Sequence, residues 1–347
     1  RAECVSRYGH KFVHDCVTRI DRDSNVVCTE SGLVLPYDAC LVAAGSQRKS
    51  SGIEGVEKHA LGLRFVDDAV RIAKRLDKLA QRKRRASVVI VGGGVSGIEA
   101  LGEILRRREQ GDEFDIHVVE SHSRILNRQT RGLTDDATRR IAKYPVKIHT
   151  DAAVEKVEAR SVTLASGEKL AADLCIWSAG TTLPGFLRDS GLSAADDRWL
   201  PVDDTLQSRY AENIFIAGDC AGLPEPVRKQ AYYAMDMGEI AGDNITRLLS
   251  NRKLKRFRPA PMPMLISFGD ITTWLLAGDN IIASPLIATA KEGVYQYTMA
   301  CLASPVEPLR YSADVVGRAF MATHRLLLPQ LTPQKLFDGL TGSRIII

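Results

Sequence analysis

Val88-Val-Ile-Val-Gly-Gly-Gly-Val-Ser-Gly-Ile-Glu-Ala100 is the stretch on which the fold turns. The β-branched run Val88 to Val91 predicts a buried strand of a parallel sheet. It ends in Gly92-x-Gly94-x-x-Gly97, after which Ile98, Leu101 and Leu105 recur on one face of a helix. In such a turn the first glycine permits the tight bend and the second lets the backbone approach a pyrophosphate. The third lets the helix pack close to the strand, so that its amide-rich N-terminus aims at the phosphates. A second strand, Ile116-His-Val-Val-Glu120, ends in an acid at about the expected distance downstream. A carboxylate there accepts hydrogen bonds from a ribose 2′-OH and repels a 2′-phosphate, which predicts NAD(H) rather than NADP(H). The glycine spacing alone is a weak signal; strand, helix and acid together make it specific.

Toward the N-terminus, a basic helix from about Val66 to Lys83 leads into this unit. Before it, Lys11-Phe-Val13, Cys16 to Ile20, Val26 to Thr29 and Leu33 to Leu35 read as short strands, with Ser31-Gly32 as a turn. Leu41-Val-Ala-Ala-Gly45-Ser46 is a buried strand running into a glycine turn, a pattern repeated by Leu174-Cys-Ile-Trp-Ser-Ala-Gly180. Asn213-Ile-Phe-Ile-Ala-Gly218-Asp219 is a third such strand, with an acid at its carboxyl end. Between them, Val146 to Thr150, Val154 to Val157 and Val162 to Leu164 are strand-like. A helix of about Arg228 to Leu249 follows, before Pro259, Pro261 and Pro263 interrupt the chain. Strands alternating with helices indicate an α/β architecture with largely parallel sheets.

The 347 residues suggest about two domains, with room for a small third one. Hydrophobic content of 45% and charged content of 26% are those of an ordinary globular protein. The net charge of +5 comes chiefly from Arg82-Lys-Arg-Arg85 and Arg252-Lys-Leu-Lys-Arg-Phe-Arg258. Each cluster is either a solvated helix end or linker, or an attraction for an anionic membrane surface. Interleaved aromatics are too few to support nucleic-acid binding. Seven cysteines without a CxxC pair read as reduced thiols of a reducing compartment, and seven histidines form no metal-ligating cluster. No apolar run reaches about 18 residues, so no helix spans a membrane.

Together these motifs resemble the two-dinucleotide-binding-domain flavoproteins of the pyridine nucleotide oxidoreductase superfamily. Within it they are closest to the type II NADH dehydrogenases and to apoptosis-inducing-factor-like, ferroptosis-suppressor-like quinone reductases. Tyr37-Asp-Ala-Cys-Leu-Val-Ala-Ala-Gly45-Ser46 resembles the element where the family's chain crosses between FAD and NAD domains, with Ala44 in place of the usual threonine. Ile176-Trp-Ser-Ala-Gly180 is similar to the second crossing, and Ile216-Ala-Gly218-Asp219 to the FAD-binding motif whose aspartate binds a ribityl hydroxyl. Lys229-Gln-Ala-Tyr232 resembles an element that opens a helix, with Arg228 replacing its proline. The N-terminus of that helix and Lys229 itself are suited to a reduced, anionic flavin; the alternative for Lys229 is a solvated lysine at a helix start. Glu99 matches the glutamate the family places near the nicotinamide–flavin junction. Otherwise Glu99, like Glu103 one turn on, simply favours the helix dipole or forms a salt bridge.

The resemblance runs to about Cys301 and implies an FAD-binding domain interrupted by an NAD(H)-binding domain, plus a small C-terminal domain. The boundaries expected are residues 1–58 and 185–258 for the two parts of the FAD domain, 59–184 for the NAD(H) domain and 259–347 for the C-terminal domain and tail. The family's N-terminal βαβ unit, about 30 residues with its own glycine fingerprint for FAD, is not matched here. The chain starts at Arg1, so a leading segment and any targeting signal are expected to be absent from it. These residues alone are accordingly expected to bind NADH, to hold FAD weakly or not at all, and to tend to aggregate through the sheet edge left exposed. The implied activity is hydride transfer from NADH to flavin and electron transfer on to a quinone. The alternatives are a protein acceptor such as ferredoxin, or an NADH-responsive interaction protein with little turnover. Val315, Val316, Phe320, Met321 and Leu327 alternate with Arg318, His324 and Arg325 in an amphipathic helix ended by Pro329. It fits a core or homodimer interface, or peripheral attachment to the inner, cytoplasmic face of a membrane, where quinones dissolve.

Overall fold

Ala86–Val91 forms the central strand of a five-stranded, all-parallel sheet, and its residues from Val88 to Val91 are almost wholly buried. The order across the sheet is Ala60–Gly62, Leu174–Trp177, Ala86–Val91, Phe114–Val119 and Val146–His149. The computed structural model describes residues 5–6, 9–109, 111–260, 263–278, 280–289, 291–293 and 344–346. They fall into two units: Arg1–Lys11, Ser50–Ala179 and Pro263–Ile347 form one, and Phe12–Lys49 and Gly180–Met262 form the other.

In the first unit both faces of the parallel sheet are covered, which is why its strands read as continuous apolar runs. On one face lie helices α1 (Val66–Ala80), α2 (Val95–Glu109) and α3 (Arg131–Ile141). Ile72, Leu76 and Leu79 of α1, Ile98, Leu101 and Leu105 of α2, and Leu133 and Ile141 of α3 share one core with Val88, Ile90, Ile116 and Ile176. On the other face Val89, Val91, Val119 and Trp177 meet the antiparallel sheet Val154–Glu158, Ser161–Leu164 and Lys169–Ala171 through Val157, Val162 and Leu170. The alternation of Val88 and Ile90 with Val89 and Val91 between the two cores is the two-residue period of a strand.

A four-stranded antiparallel sheet, Met264–Phe268, Thr272–Ala277, Asn280–Ser284 and Arg344–Ile346, shares the first core rather than building its own. Gly102 explains how it can come so close to α2. A Cβ at that position would lie 2.3 Å from the Gly269 nitrogen, so the helix meets the Phe268–Gly269 turn backbone to backbone. Trp274 is fully buried, and its indole N–H donates to Asp136 Oδ2 at 2.8 Å, joining this sheet to α3.

The second unit pairs Cys40–Val42 parallel to Ala211–Ile216, flanked by Gln207–Ser208. An antiparallel meander, Val17–Asp21, Val26–Thr29 and Val34–Pro36, accompanies it. Helix α4 (Ala231–Leu249) buries Tyr233, Met237 and Ala241 in a core shared with Ile214, Phe215 and Ile216. Lys11–Val13, expected as a strand, is irregular. The amphipathic segment from Val315 to Leu327 lies outside the described residues.

The first basic cluster is largely neutralised and the second in part. Arg82 and Arg84 pair with Asp173, and Arg85 with Glu113 and Asp115. In the second cluster Lys255 pairs with Asp243, Arg256 with Asp204, and Phe257 is buried.

Candidate functional site

The Gly92–Gly97 turn joins the central strand to α2, and each glycine of the fingerprint meets a different neighbour. Gly92 lies at φ 104°, a left-handed backbone that a side chain rarely adopts. A Cβ at Gly97 would sit 1.9 Å from the Gly92 carbonyl oxygen, so the first helical turn packs directly on the strand end. At Gly94 a Cβ would meet nothing within 4 Å. The open side of the turn therefore lies at the second glycine, where a pyrophosphate would approach the backbone.

Glu120 follows Phe114–Val119, the strand beside the central one, and is 6% exposed. Its Oε2 accepts the Gly93 N–H at 2.8 Å, and its Oε1 accepts the His122 N–H at 3.0 Å and lies 2.6 Å from His122 Nδ1. Burial opposes ionisation, yet the hydrogen bonds from the His122 side chain and backbone and from Gly93 prevail and hold the carboxyl below its ordinary value. Ser121 Oγ also donates to Oε1, at 3.4 Å, whereas Oε2 carries only the Gly93 contact among the described residues, so the second lone pair of Oε2 is the place for one more donor such as a ribose hydroxyl. Open space at Gly94 and a charged acceptor at the end of the neighbouring strand fit the adenosine side of NAD(H).

Glu99 stands in the second turn of α2. It accepts the Ser267 N–H at 3.0 Å and is ion-paired with Lys291. The charge is thus shared between the helix that follows the glycine turn and the C-terminal sheet. Glu103 has its carboxyl pushed up by burial, against the pull of Arg106, with Asp270 and Glu99 adding to the rise.

The residues expected to hold a flavin gather in the second unit. Ala217 donates to the Val42 carbonyl at 3.0 Å, bringing the Gly45 turn and the Gly218–Asp219 turn side by side. Ser46 Oγ donates to Asp219 Oδ2 at 3.3 Å. Gly218 lies at φ 76° in a short 3-10 turn, with the Ala234 Cβ of α4 opposite it. The segments after Gly45 and Gly180 also meet: Lys49 N–H donates to the Gly180 carbonyl at 3.1 Å, and Thr181–Thr182 pairs antiparallel with Gln47–Arg48.

Lys229 lies before α4 rather than within it, because the helix begins at Ala231 after an extended Gln230. Its ammonium donates to the Ala221 carbonyl at 2.6 Å and sits 4.6 Å from the centre of the Trp199 ring. Burial pushes the ammonium below the ordinary lysine value, with Asp219 and Cys220 opposing the shift. Tyr232 is half-buried in the first turn of α4. Between Lys229 and the helix, Gln230 Oε1 is buried without a hydrogen-bond partner among the described residues. An orphaned acceptor at a helix start calls for a donor from a ligand, and flavin hydroxyls and ring N–H groups are donors of that kind. The fit of FAD to this unit rests on that observation.

Three participants were not singled out from sequence. His122 and Gly93 complete the environment of Glu120, and Ser178 Oγ donates to the Val91 and Gly92 carbonyls at 2.9 and 3.0 Å. Ser178 carried a signal, since a hydroxyl just before the Ala179-Gly180 turn stands where the strand ends beside the fingerprint. The others are tertiary meetings without a local pattern.

A family model described as pyridine nucleotide-disulphide oxidoreductase matches residues 5–238. The demethylphylloquinone reductase NdbB of a Synechocystis species is 27% identical over 295 residues, covering 82% of this chain and 71% of the relative. The type II NADH:quinone oxidoreductase of Haemophilus influenzae is 23% identical over 301 residues, covering 76% and 67%. Among solved structures, NDH2 from Plasmodium falciparum in complex with NADH superposes with a TM-score of 0.75 at 14% identity, covering 90% of this chain and 83% of that one.

Proposed function

The chain belongs to the pyridine nucleotide-disulphide oxidoreductase family, and on that premise we propose that it is an FAD-dependent NADH:quinone oxidoreductase. The observation that carries the nucleotide half of this reading is the open Gly94 turn with Glu120 beside it, 2.8 Å from Gly93 N. The acceptor half rests on the two relatives named for quinone reduction.

The turn that Gly92 bends and Gly97 packs against the strand receives the pyrophosphate at Gly94, and Glu120 accepts a ribose hydroxyl while excluding a 2′-phosphate. Gly45, Gly180, Gly218, Asp219, Gln230 and Tyr232 hold FAD, with Asp219 accepting a ribityl hydroxyl. When bound, the flavin supplies the redox chemistry, taking a hydride from NADH and giving electrons to the acceptor. Glu99, fixed by Ser267 and Lys291, orients the nicotinamide. Lys229 adds positive charge at the start of α4, where negative charge on a reduced ring is favoured.

Quinones dissolve in lipid, so the protein works peripherally on the cytoplasmic face of a membrane. Among the described residues no helix is long and apolar enough to cross one. The test is rapid mixing: NADH-reduced enzyme is mixed with a water-soluble quinone or with a ferredoxin. Reoxidation is expected to be fast with the quinone. Fast reoxidation by ferredoxin and slow reoxidation by quinone would overturn the assignment.

A further inference from the structure

Among the described residues, Oε1 of Glu120 is held entirely by the loop that follows its strand. It accepts the His122 N–H at 3.0 Å and the Ser121 hydroxyl at 3.4 Å, and His122 Nδ1 stands 2.6 Å from it. Two acceptors do not approach so closely, so Nδ1 carries a hydrogen and donates it to the carboxylate. That contact fixes the tautomer and leaves Nε2 as the nitrogen that gains or loses the ring's second proton. Oε2, in contrast, accepts the Gly93 N–H of the glycine turn at 2.8 Å. One carboxylate therefore joins the nucleotide turn to a side chain whose charge is variable.

The other charged residues near this contact are engaged elsewhere or enter through their backbone. Arg124, two residues on, directs its guanidinium to Thr134 Oγ1 at 2.5 Å and to the Asn127 and Gln129 carbonyls at 2.8 and 2.9 Å. From the neighbouring segment, the Asp151 N–H donates to the His122 carbonyl at 2.9 Å and the Ala152 N–H to the Glu120 carbonyl at 3.0 Å. His149 accepts the Glu120 N–H through its carbonyl at 2.8 Å, while its ring pairs with His117 at 3.0 Å. Burial opposes ionisation of Glu120, but the bonds from His122 and Gly93 hold its carboxyl below the ordinary 4.5. Glu120 therefore stays charged through the range in which histidines titrate.

We propose that His122 is a specificity-determining residue, which sets through Glu120 how strongly the site rejects a nucleotide 2′-phosphate. That role rests on the reading of Glu120 as the ribose acceptor. With a neutral imidazole the Glu120–His122 pair carries one negative charge, which repels the phosphate of NADPH. With an imidazolium the pair is neutral overall, and the repulsion is cancelled at a distance of 2.6 Å. NADH needs only the acceptor lone pair on Oε2, which both states offer. Protonation of His122 thus widens the site from NADH to NADH and NADPH. A histidine that merely braced Glu120 would weaken both nucleotides alike and leave their ratio indifferent to its charge.

The test titrates NADH and NADPH into the full chain at about pH 5.5 and about pH 8.5, on either side of the range in which histidines titrate. The readout is the ratio of the two Kd values, taken within one protein so that a change in active fraction cancels. The 2′-phosphate itself takes up a proton near about pH 6, so the wild type is compared with His122→Gln, which keeps a neutral donor for Oε1. The preference for NADH is expected to narrow on acidification by about tenfold more in the wild type than in His122→Gln. His122→Arg, which keeps a positive charge at both pH values, should show the narrowed preference already at the higher one. The same change of ratio in the wild type and His122→Gln, with NADH weakened in Glu120→Ala, would overturn the proposal alone. Unchanged NADH affinity in Glu120→Ala would overturn the nucleotide site and the proposal together.

Discussion

Glu120 holds the turn it follows by 27 residues: its Oε2 accepts the Gly93 N–H at 2.8 Å. The acid proposed to discriminate the ribose is therefore also a support of the glycine turn, and a Cβ at Gly93 would lie 3.2 Å from the Glu120 Cβ. Replacing Glu120 by Ala removes both functions. Losing hydrogen bonds to a charged group is expected to weaken NADH by roughly 1.5–3 kcal/mol, about ten- to a hundredfold in Kd. NADPH should lose little or gain. Calorimetric titration of both nucleotides decides this, and unchanged NADH affinity would remove Glu120 from the site.

The second and third glycines of the turn separate binding from folding. Gly97→Ala forces a Cβ into the Gly92 carbonyl oxygen at 1.9 Å and should destabilise the first unit by roughly 1–3 kcal/mol or more. Gly94→Ala meets nothing and should unfold at the wild-type temperature while losing NADH affinity. Thermal unfolding with and without NADH distinguishes the two; equal behaviour of the variants would refute separate roles.

Glu99→Gln keeps the acceptor for the Ser267 N–H and deletes the charge opposite Lys291. If Glu99 orients the nicotinamide, NADH should reduce the flavin more slowly, with little change in stability. A wild-type reduction rate in rapid mixing would leave Glu99 as a tie between α2 and the C-terminal sheet.

Asp219→Ala should release flavin without touching the NADH site, because Asp219 and the Gly92–Gly97 turn belong to different units. Absorbance of the bound flavin against nucleotide titration checks it. Full flavin occupancy in the variant would exclude Asp219 as a ligand.

Acid should loosen the first unit through three carboxylates held below their ordinary values despite the opposing effect of burial. Glu120 is held by His122 and Gly93, Asp136 by Arg140, Trp274 and Arg139, and Asp173 by Arg84, Ser87 and Arg82. A depressed folded-state pKa gives stability that is present above the unfolded value and lost as pH falls through the folded one. The ordinary values are 4.5 for Glu120 and 3.8 for the two aspartates, so the loss belongs below about pH 4.5. Melting temperature against pH should fall there, and less steeply in Asp136→Asn. A parallel profile for that variant would exclude Asp136 as a contributor.

What the sequence determined by itself was local and periodic. Val88 to Val91, Gly92, Gly94, Gly97 and Ile98 to Leu105 are contiguous, and strand, turn and helix each leave their own spacing. Val26–Thr29 and Val146–His149 were legible for the same reason. Tertiary structure alone decided where each charge goes. The strand that carries Glu120 lies beside the one that ends in Gly92, so its carboxylate reaches Gly93 across 27 residues of chain. Glu99 found Lys291 across 192 residues, and Lys229 turned to Ala221 and Trp199 instead of into α4. The C-terminal sheet joined the first core because two glycines, Gly102 and Gly269, let backbone meet backbone. Contacts of that kind depend on which elements become neighbours, and a one-dimensional pattern fixes the period of an element without fixing what lies against it.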